Sequence, residues 1–392
     1  MITLPRVTAL FLLLIGGYVF VLAPRDAAGT GQSRPEGPRW QAPAPEASPE
    51  PVPTFTPAPP TVFPPTGKAF FGLFTESGGV DLKDHDRFVA ATGRHPQTLL
   101  FAQGWAVHKF SRTPFDRVVN RGMLPILGWE PWDYRAESQV DVQRGSQSKY
   151  RLARIVAGDF DSYISSWAQG IKDLGYPVGI RFAHEMNGYW YPWCEQANGN
   201  RRGEYVAAWR HVHDLFHQAG ADNVIWIWSP NVSYTNSTPL AGLYPGDGYV
   251  DWVGLSGYYG TTGLEEYRTF EQIFMPTVNE IRAFTKRPIV LTEVAATDTA
   301  GRKAEWVRDL LKTLPRHPDI IGFIWYESVK ETDWRIAVSA AASSAFAAGV
   351  SQPYFDVSWS PSTVARTSIA DAPAAGASTR PAASRSVRPG PT

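Results

Sequence analysis

The chain has 392 residues with 37 Lys+Arg against 37 Asp+Glu, so no bulk charge recruits or repels nucleic acid. Aromatics make up 13% of it, including 15 Trp, which is a large supply of flat surface for packing or for stacking on a ligand. One cysteine, Cys194, excludes a disulfide within the chain.

The first element is an uncharged run, Val7 to Ala23, after Arg6. It is long for a signal-peptide core and near the short limit for a membrane span. Residues 1–33 are therefore expected to be a signal peptide, with Ala27-Ala28-Gly29 at the cut, or a retained membrane anchor. Either predicts export, secreted or tethered to the outer face of the cytoplasmic membrane. Residues 34–66 carry twelve Pro. Proline fixes φ and removes backbone donors, so this stretch predicts an extended spacer. From 357 to 392 there is no apolar periodicity, which predicts a disordered tail. The folded domain is expected over 67–356.

Inside that window, short apolar runs alternate with longer amphipathic ones. The runs are 69–75, 98–105, 123–129, 178–185, 223–231, 250–259, 288–295 and 320–328. Helical spacing separates them, as in 205–220, which stops at Gly220, and in 302–314. Eight strand–helix repeats predict an α/β fold, a (β/α)8 TIM barrel. The rival is an open doubly wound sheet, since periodicity does not report closure. No G-x-G-x-x-G follows the first strand, which weighs against that rival.

In such a barrel the chemistry sits where strands end. Gln103, Glu130, His184, Glu185, Asn231, Tyr258, Glu293, Trp325, Tyr326 and Glu327 fall there. On the fourth run Val178, Ile180 and Phe182 share one face; Gly179, Arg181, Ala183 and Glu185 share the other. The apolar face should meet the helices and the face with Glu185 the barrel axis. Glu185 and Glu293 end different strands, and nothing local explains both. Two such carboxylates are what cleavage of a glycosidic bond requires, one to protonate the leaving oxygen and one to attack or to activate water.

The stretch HEMNGYWYPW, His184 to Trp193, resembles the acid/base motif of glycoside hydrolase family 26, the β-mannanase family of the large retaining-glycosidase clan. LTEVA, Leu291 to Ala295, resembles its nucleophile strand, and Lys303 to Ile336 its C-terminal third. The resemblance covers about residues 70–346. It implies that Glu185 is the general acid/base and Glu293 the nucleophile of a retaining endo-β-glycosidase. It further implies that His184 contacts substrate, that Asn187 shapes the turn or donates to a sugar hydroxyl, that Tyr258 holds the nucleophile, and that Trp325 is the platform under the sugar. Trp105 and Trp190 are expected to line the cleft with further indoles. Glu130 is expected to bind substrate or support residues that do.

Two positions depart from the family's mannanases: Ser256 stands where an Asp is usual, and Tyr326 where an Arg is common. Both touch the sugar-binding shell. The polymer expected first is β-1,4-mannan, with mixed-linkage β-1,3-1,4-glucan and β-1,3-xylan as alternatives. A non-catalytic carbohydrate-binding barrel is the reading from another class. No cofactor and no metal are expected: the eight His are scattered, and His211 and His213 diverge on their helix. The partner is a polysaccharide, with no nucleic acid, and the protein is expected to be a monomer.

Overall fold

A computed structural model describes residues 51, 63–136, 146–260, 266–298 and 301–361. The expected export segment, nearly all of the spacer and most of the tail lie outside the described residues. Among the described residues, no helix is long and apolar enough to cross a membrane.

All eight apolar runs are strands: β1 Phe70–Phe74, β2 Thr98–Gly104, β3 Leu124–Glu130, β4 Val178–Phe182, β5 Val224–Trp228, β6 Trp252–Tyr259, β7 Ile289–Ala296 and β8 Ile320–Tyr326. Every neighbouring pair is parallel, and β8 pairs back onto β1, Phe70 opposite Gly322 through Phe74 opposite Tyr326. Closure removes both sheet edges and excludes the open-sheet alternative.

The connecting helices are α1 Lys83–Thr92, α2 Thr113–Asn120, α3 Asp161–Leu174, α4 Glu204–Ala219, α5 Phe270–Arg282, α6 Lys303–Thr313 and α7 Ala340–Val350. α4 ends on Gly220 at φ 72°, where a side chain would strain the backbone. α5 starts with a capping box between Thr269 and Gln272. Between β5 and β6 the repeat fails: two 3-10 turns, Leu240–Gly242 and Asp247–Tyr249, stand where a helix was expected.

Alternation along each strand divides the aromatics. Odd positions of β3 face the helices, so Trp129 packs on Trp167 of α3 and Phe216 of α4. Phe182 of β4 faces Trp209 of α4 in the same layer. The even positions of β8, Gly322, Ile324 and Tyr326, face the barrel, while Phe323 and Trp325 meet α7 at Phe346. Below the strands, Phe63 stacks on Phe70, whose other neighbour is Trp252. Phe63 and Trp359 are both buried, so the packed body extends past the 67–356 window at each end.

Candidate active site

The C-terminal mouth of the barrel is organised around Arg181. An arginine inside an apolar strand has one way to be buried: its donors must be matched. Arg181 points inward from β4 and is 2% exposed. Its Nε donates to Ser229 Oγ at 2.9 Å, its Nη2 to Ser256 Oγ at 2.7 Å and its Nη1 to Glu293 Oε1 at 2.5 Å. Tyr258 donates its hydroxyl to the other oxygen, Glu293 Oε2. Glu293 is thus gripped from two sides. Sheet irregularities aim these groups: β6 shifts register between Gly254 and Ser256, and the β7–β8 register shifts between Leu291 and Val294.

Glu185 reaches the mouth by a different route. Simple alternation ends at Phe182. Ala183 and Glu185 both adopt left-handed φ, 44° and 54°, a region that L side chains enter at a cost. The kink is fixed by Ala183 N donating to Trp129 O and by Glu185 N donating to Ser229 O at 2.7 Å. Trp193 Nε1 donates to His184 O at 2.6 Å from behind. The carboxyl of Glu185 then accepts from Trp190 Nε1 at 3.0 Å. Burial pushes its pKa up to about 7, with the charge of Glu293 adding to the rise; Arg181, Lys330 and the Trp190 donor pull the other way. Near neutral pH Glu185 can therefore hold a proton and release it.

The cleft beside this pair is lined by Phe74, Leu100, Ala102, Gly128, Glu130, Trp132, Tyr134, Arg181, His184, Trp190, Tyr191, Glu293, Tyr326 and Lys330. Several of its rings pack on aromatic neighbours. Tyr326 stacks on Phe74 at 4.4 Å, Trp132 meets Tyr191 edge-on at 5.3 Å, and Trp190 lies 5.8 Å from Tyr234. Sugar rings present apolar C–H faces to which such surfaces are suited. Glu130 accepts from Trp132 Nε1 at 2.8 Å, and burial carries its pKa to about 7. The imidazole of His184 is held well below its ordinary pKa, by burial first and by Arg181 second, so it is neutral. Among the described residues no group of three His, Cys, Asp or Glu side chains could hold a metal ion.

Of the residues singled out by sequence, Glu185, Glu293, His184, Glu130, Trp190 and Tyr258 come together at this mouth. Three do not. Trp325 is fully buried against Trp306 and Phe346 in the outer layer, its Nε1 donating to Trp334 O. It is not a floor for a sugar; its neighbour Tyr326 occupies the cleft. Trp105 packs in the same outer layer against Trp129, Phe160 and Phe182. Asn187 is fully buried and spends its amide on the backbone of Asn231, accepting from N and donating to O at 2.9 Å each. It pins the β4 loop to the end of β5, and its complete burial keeps it away from a substrate.

The sequence did not show Arg181 as a charge partner or Lys330 as a cleft residue, whereas Tyr326, expected in the sugar-binding shell, lines the cleft. A lone arginine within VGIRF was the available signal for Arg181. Lys330 carried none: it is brought in by a hairpin after β8, closed by a Val329–Asp333 bridge and by Trp334 Nε1 donating to Glu331.

The sequence matches the family model for glycosyl hydrolase family 26 over residues 133–309. Endoglucanase H of Acetivibrio thermocellus is 34% identical over 255 residues, 62% of this chain and 26% of that protein. The chain thus spans about a quarter of that relative's length. A mannan endo-1,4-β-mannosidase of Bacillus subtilis is 26% identical over 288 residues, covering 68% of this chain and 74% of that one. Among solved structures, a family 26 β-mannanase from Bacteroides ovatus superposes with a TM-score of 0.57 at 16% identity, over 74% of this chain and 91% of that one, a likeness of fold.

Proposed function

The chain belongs to glycoside hydrolase family 26, and from that premise we propose that it is a retaining endo-β-glycosidase that cleaves an extracellular β-1,4-mannan. One observation carries the reading: two carboxylates in one mouth have opposite surroundings. Glu293 is paired with a buried guanidinium and a phenol, while Glu185 is buried against an indole with its pKa near 7. Pairs of acids set apart in this way take different roles.

Glu185 donates its proton to the leaving oxygen while Glu293 attacks the anomeric carbon, forming a glycosyl-enzyme and breaking the bond to the leaving sugar. Arg181 and Tyr258 hold the Glu293 carboxylate in position for attack. Glu185, now ionised, takes a proton from water, which displaces Glu293 and restores both groups. A second reading, hydrolysis of mixed-linkage β-glucan, is favoured by the 34% identity to a protein named an endoglucanase and by Tyr326 in the cleft; Ser256, expected in the sugar shell, is instead buried beneath Arg181. A panel of β-mannan, lichenan and β-1,3-xylan, assayed for reducing ends, decides between them. Binding of these polymers without hydrolysis would instead establish a carbohydrate-binding barrel.

We also propose export to the cell exterior, for which the uncharged run 7–23 and the proline-rich stretch behind it are the support. Membrane attachment and a monomeric state stand as further parts of the proposal. Fractionation of expressing cells and a sedimentation measurement test them.

A further inference from the structure

In a closed barrel, mid-strand residues are buried on both faces. Ala102 of β2 is not: it is exposed, and it lines the cleft. Its register partner across the ladder is Gly128 of β3, which lines the same recess. Glycine at 128 is not demanded by packing. A Cβ built there would meet Ala102 Cα and Phe101 O at 3.5 Å, ordinary contact, and its φ is not among the left-handed ones. A strand glycine without a structural need marks close approach by something else. Leu100, one pleat below Ala102, makes the floor apolar.

The walls of the recess are polar. His184 Nδ1 is buried and has no hydrogen-bond partner in the structure. Glu130 Oε1 lies 3.9 Å from it, too far for a direct bond, and the neutral imidazole makes no ion pair. An oxygen seated between them could lie about 2.8 Å from both. An unsatisfied buried polar atom of this kind is costly unless a ligand satisfies it. Trp190, which donates to the proton donor Glu185, packs on Tyr234 from the loop after β5, whereas the floor of the recess belongs to β2 and β3.

Resting on the hydrolase reading above, we propose that this recess seats the exocyclic hydroxymethyl group of a hexose unit, its methylene on Leu100 and Ala102 and its hydroxyl between Glu130 and His184. The substrate class is then a hexose-built β-glycan, mannan or glucan, and not xylan. Ring hydroxyls do not make this distinction, because pentoses share them; the hydroxymethyl is the group xylose lacks.

The test compares kcat/KM for aryl β-mannobioside, aryl β-cellobioside and aryl β-xylobioside in the full chain and in Gly128→Ala and Glu130→Gln. Melting temperatures confirm that the variants fold. The expected result is a hexobioside preference of at least a hundredfold in the parent, falling at least tenfold in each variant. Xylobioside cleaved as fast as the better hexobioside, or variants that slow both classes equally, would overturn the proposal. Calorimetric binding of manno-, cello- and xylo-oligosaccharides separates this from the hydrolase reading. Hexose-selective binding that Gly128→Ala abolishes, in a protein with no hydrolytic activity, upholds the recess and removes the hydrolase. Equal binding of all three removes the recess alone.

Discussion

Arg181 Nη1 lies 2.5 Å from Glu293 Oε1, joining β4 to β7 across 112 positions of sequence. The same guanidinium holds two serine hydroxyls, so its charge is answered by one carboxylate and two of its remaining donors by neutral oxygens. Arg181→Met is expected to strand Glu293 as a buried unpaired charge, a loss of about 3–5 kcal/mol of stability. In the protein that remains folded, kcat should fall more than KM rises. A variant with unchanged kcat would show that the guanidinium does not position the attacking group.

Glu185→Ala should lower kcat on polymer by roughly 10²–10⁴, the usual contribution of a positioned proton donor. The first step on an aryl glycoside with a good leaving group should be affected far less, since such a group departs without a proton. Glu293→Ala should abolish turnover on both. Proton NMR of the first product should show the β-anomer; the α-anomer would mean inversion and would remove Glu293 as nucleophile.

The pH profile follows from the same groups. Glu185 must be protonated to act, so kcat/KM should fall as pH rises through about 7. Lys330 lowers the pKa of Glu185 through its charge. Removing that charge in Lys330→Met should move the alkaline limb to higher pH, and Lys330→Arg should leave it in place. A limb that moves down would show that Lys330 acts through contacts other than its charge.

Stability should depend on pH in a stated direction. Burial raises Glu130, Glu185 and Glu327 each to about 7, above the value near 4.3 of an unfolded glutamate. Between those values the folded state holds more protons than the unfolded one, so stability falls as pH rises from about 4.5 to about 7. Urea midpoints at pH 5 and pH 8 should show it, and Glu130→Gln should reduce the difference. A midpoint higher at pH 8 would contradict the burial of these acids.

Trp325→Ala and Tyr326→Ala should separate packing from binding, although they are neighbours. Trp325 fills the layer under α6 and α7, so its loss should cost ~3–5 kcal/mol with little change in KM. Tyr326 faces the cleft, and its loss should raise KM with a smaller effect on stability. Asn187→Ala belongs with Trp325: it leaves the buried N–H and C=O of Asn231 unmatched, at about 1–3 kcal/mol for each group. The reverse pattern would restore the substrate roles first expected of Trp325 and Asn187.

The two acids were legible because each lies toward the C-terminal end of an apolar run, the side on which this architecture opens. Trp325 was misplaced although the information was present. Phe323, Trp325 and Phe346 form one layer, and alternation on β8 sends Tyr326 to the cleft. Strand parity does not carry Glu185 to the mouth: β4 stops at Phe182, and the left-handed Ala183 and Glu185 set its direction. The Asn187 amide was ambiguous in sequence, since a turn residue and a sugar contact look the same until partners are known. The roles of Ala102 and Gly128 were not legible, because small residues carry no signal of the space they leave.

By itself, the sequence determined the eight strands, their alternation with helices everywhere but between β5 and β6, the two carboxylates of the mouth and the family resemblance. These follow from local periodicity and from short segments whose chemistry is contiguous. Only the tertiary structure decided that the sheet closes, that Arg181 answers Glu293, that Lys330 reaches the cleft and that Asn187 and Trp105 do not. Those are facts of pairing between distant segments. Burial, charge and the direction of a side chain depend on which strand ends up beside which, and no local pattern in the chain encodes that distance.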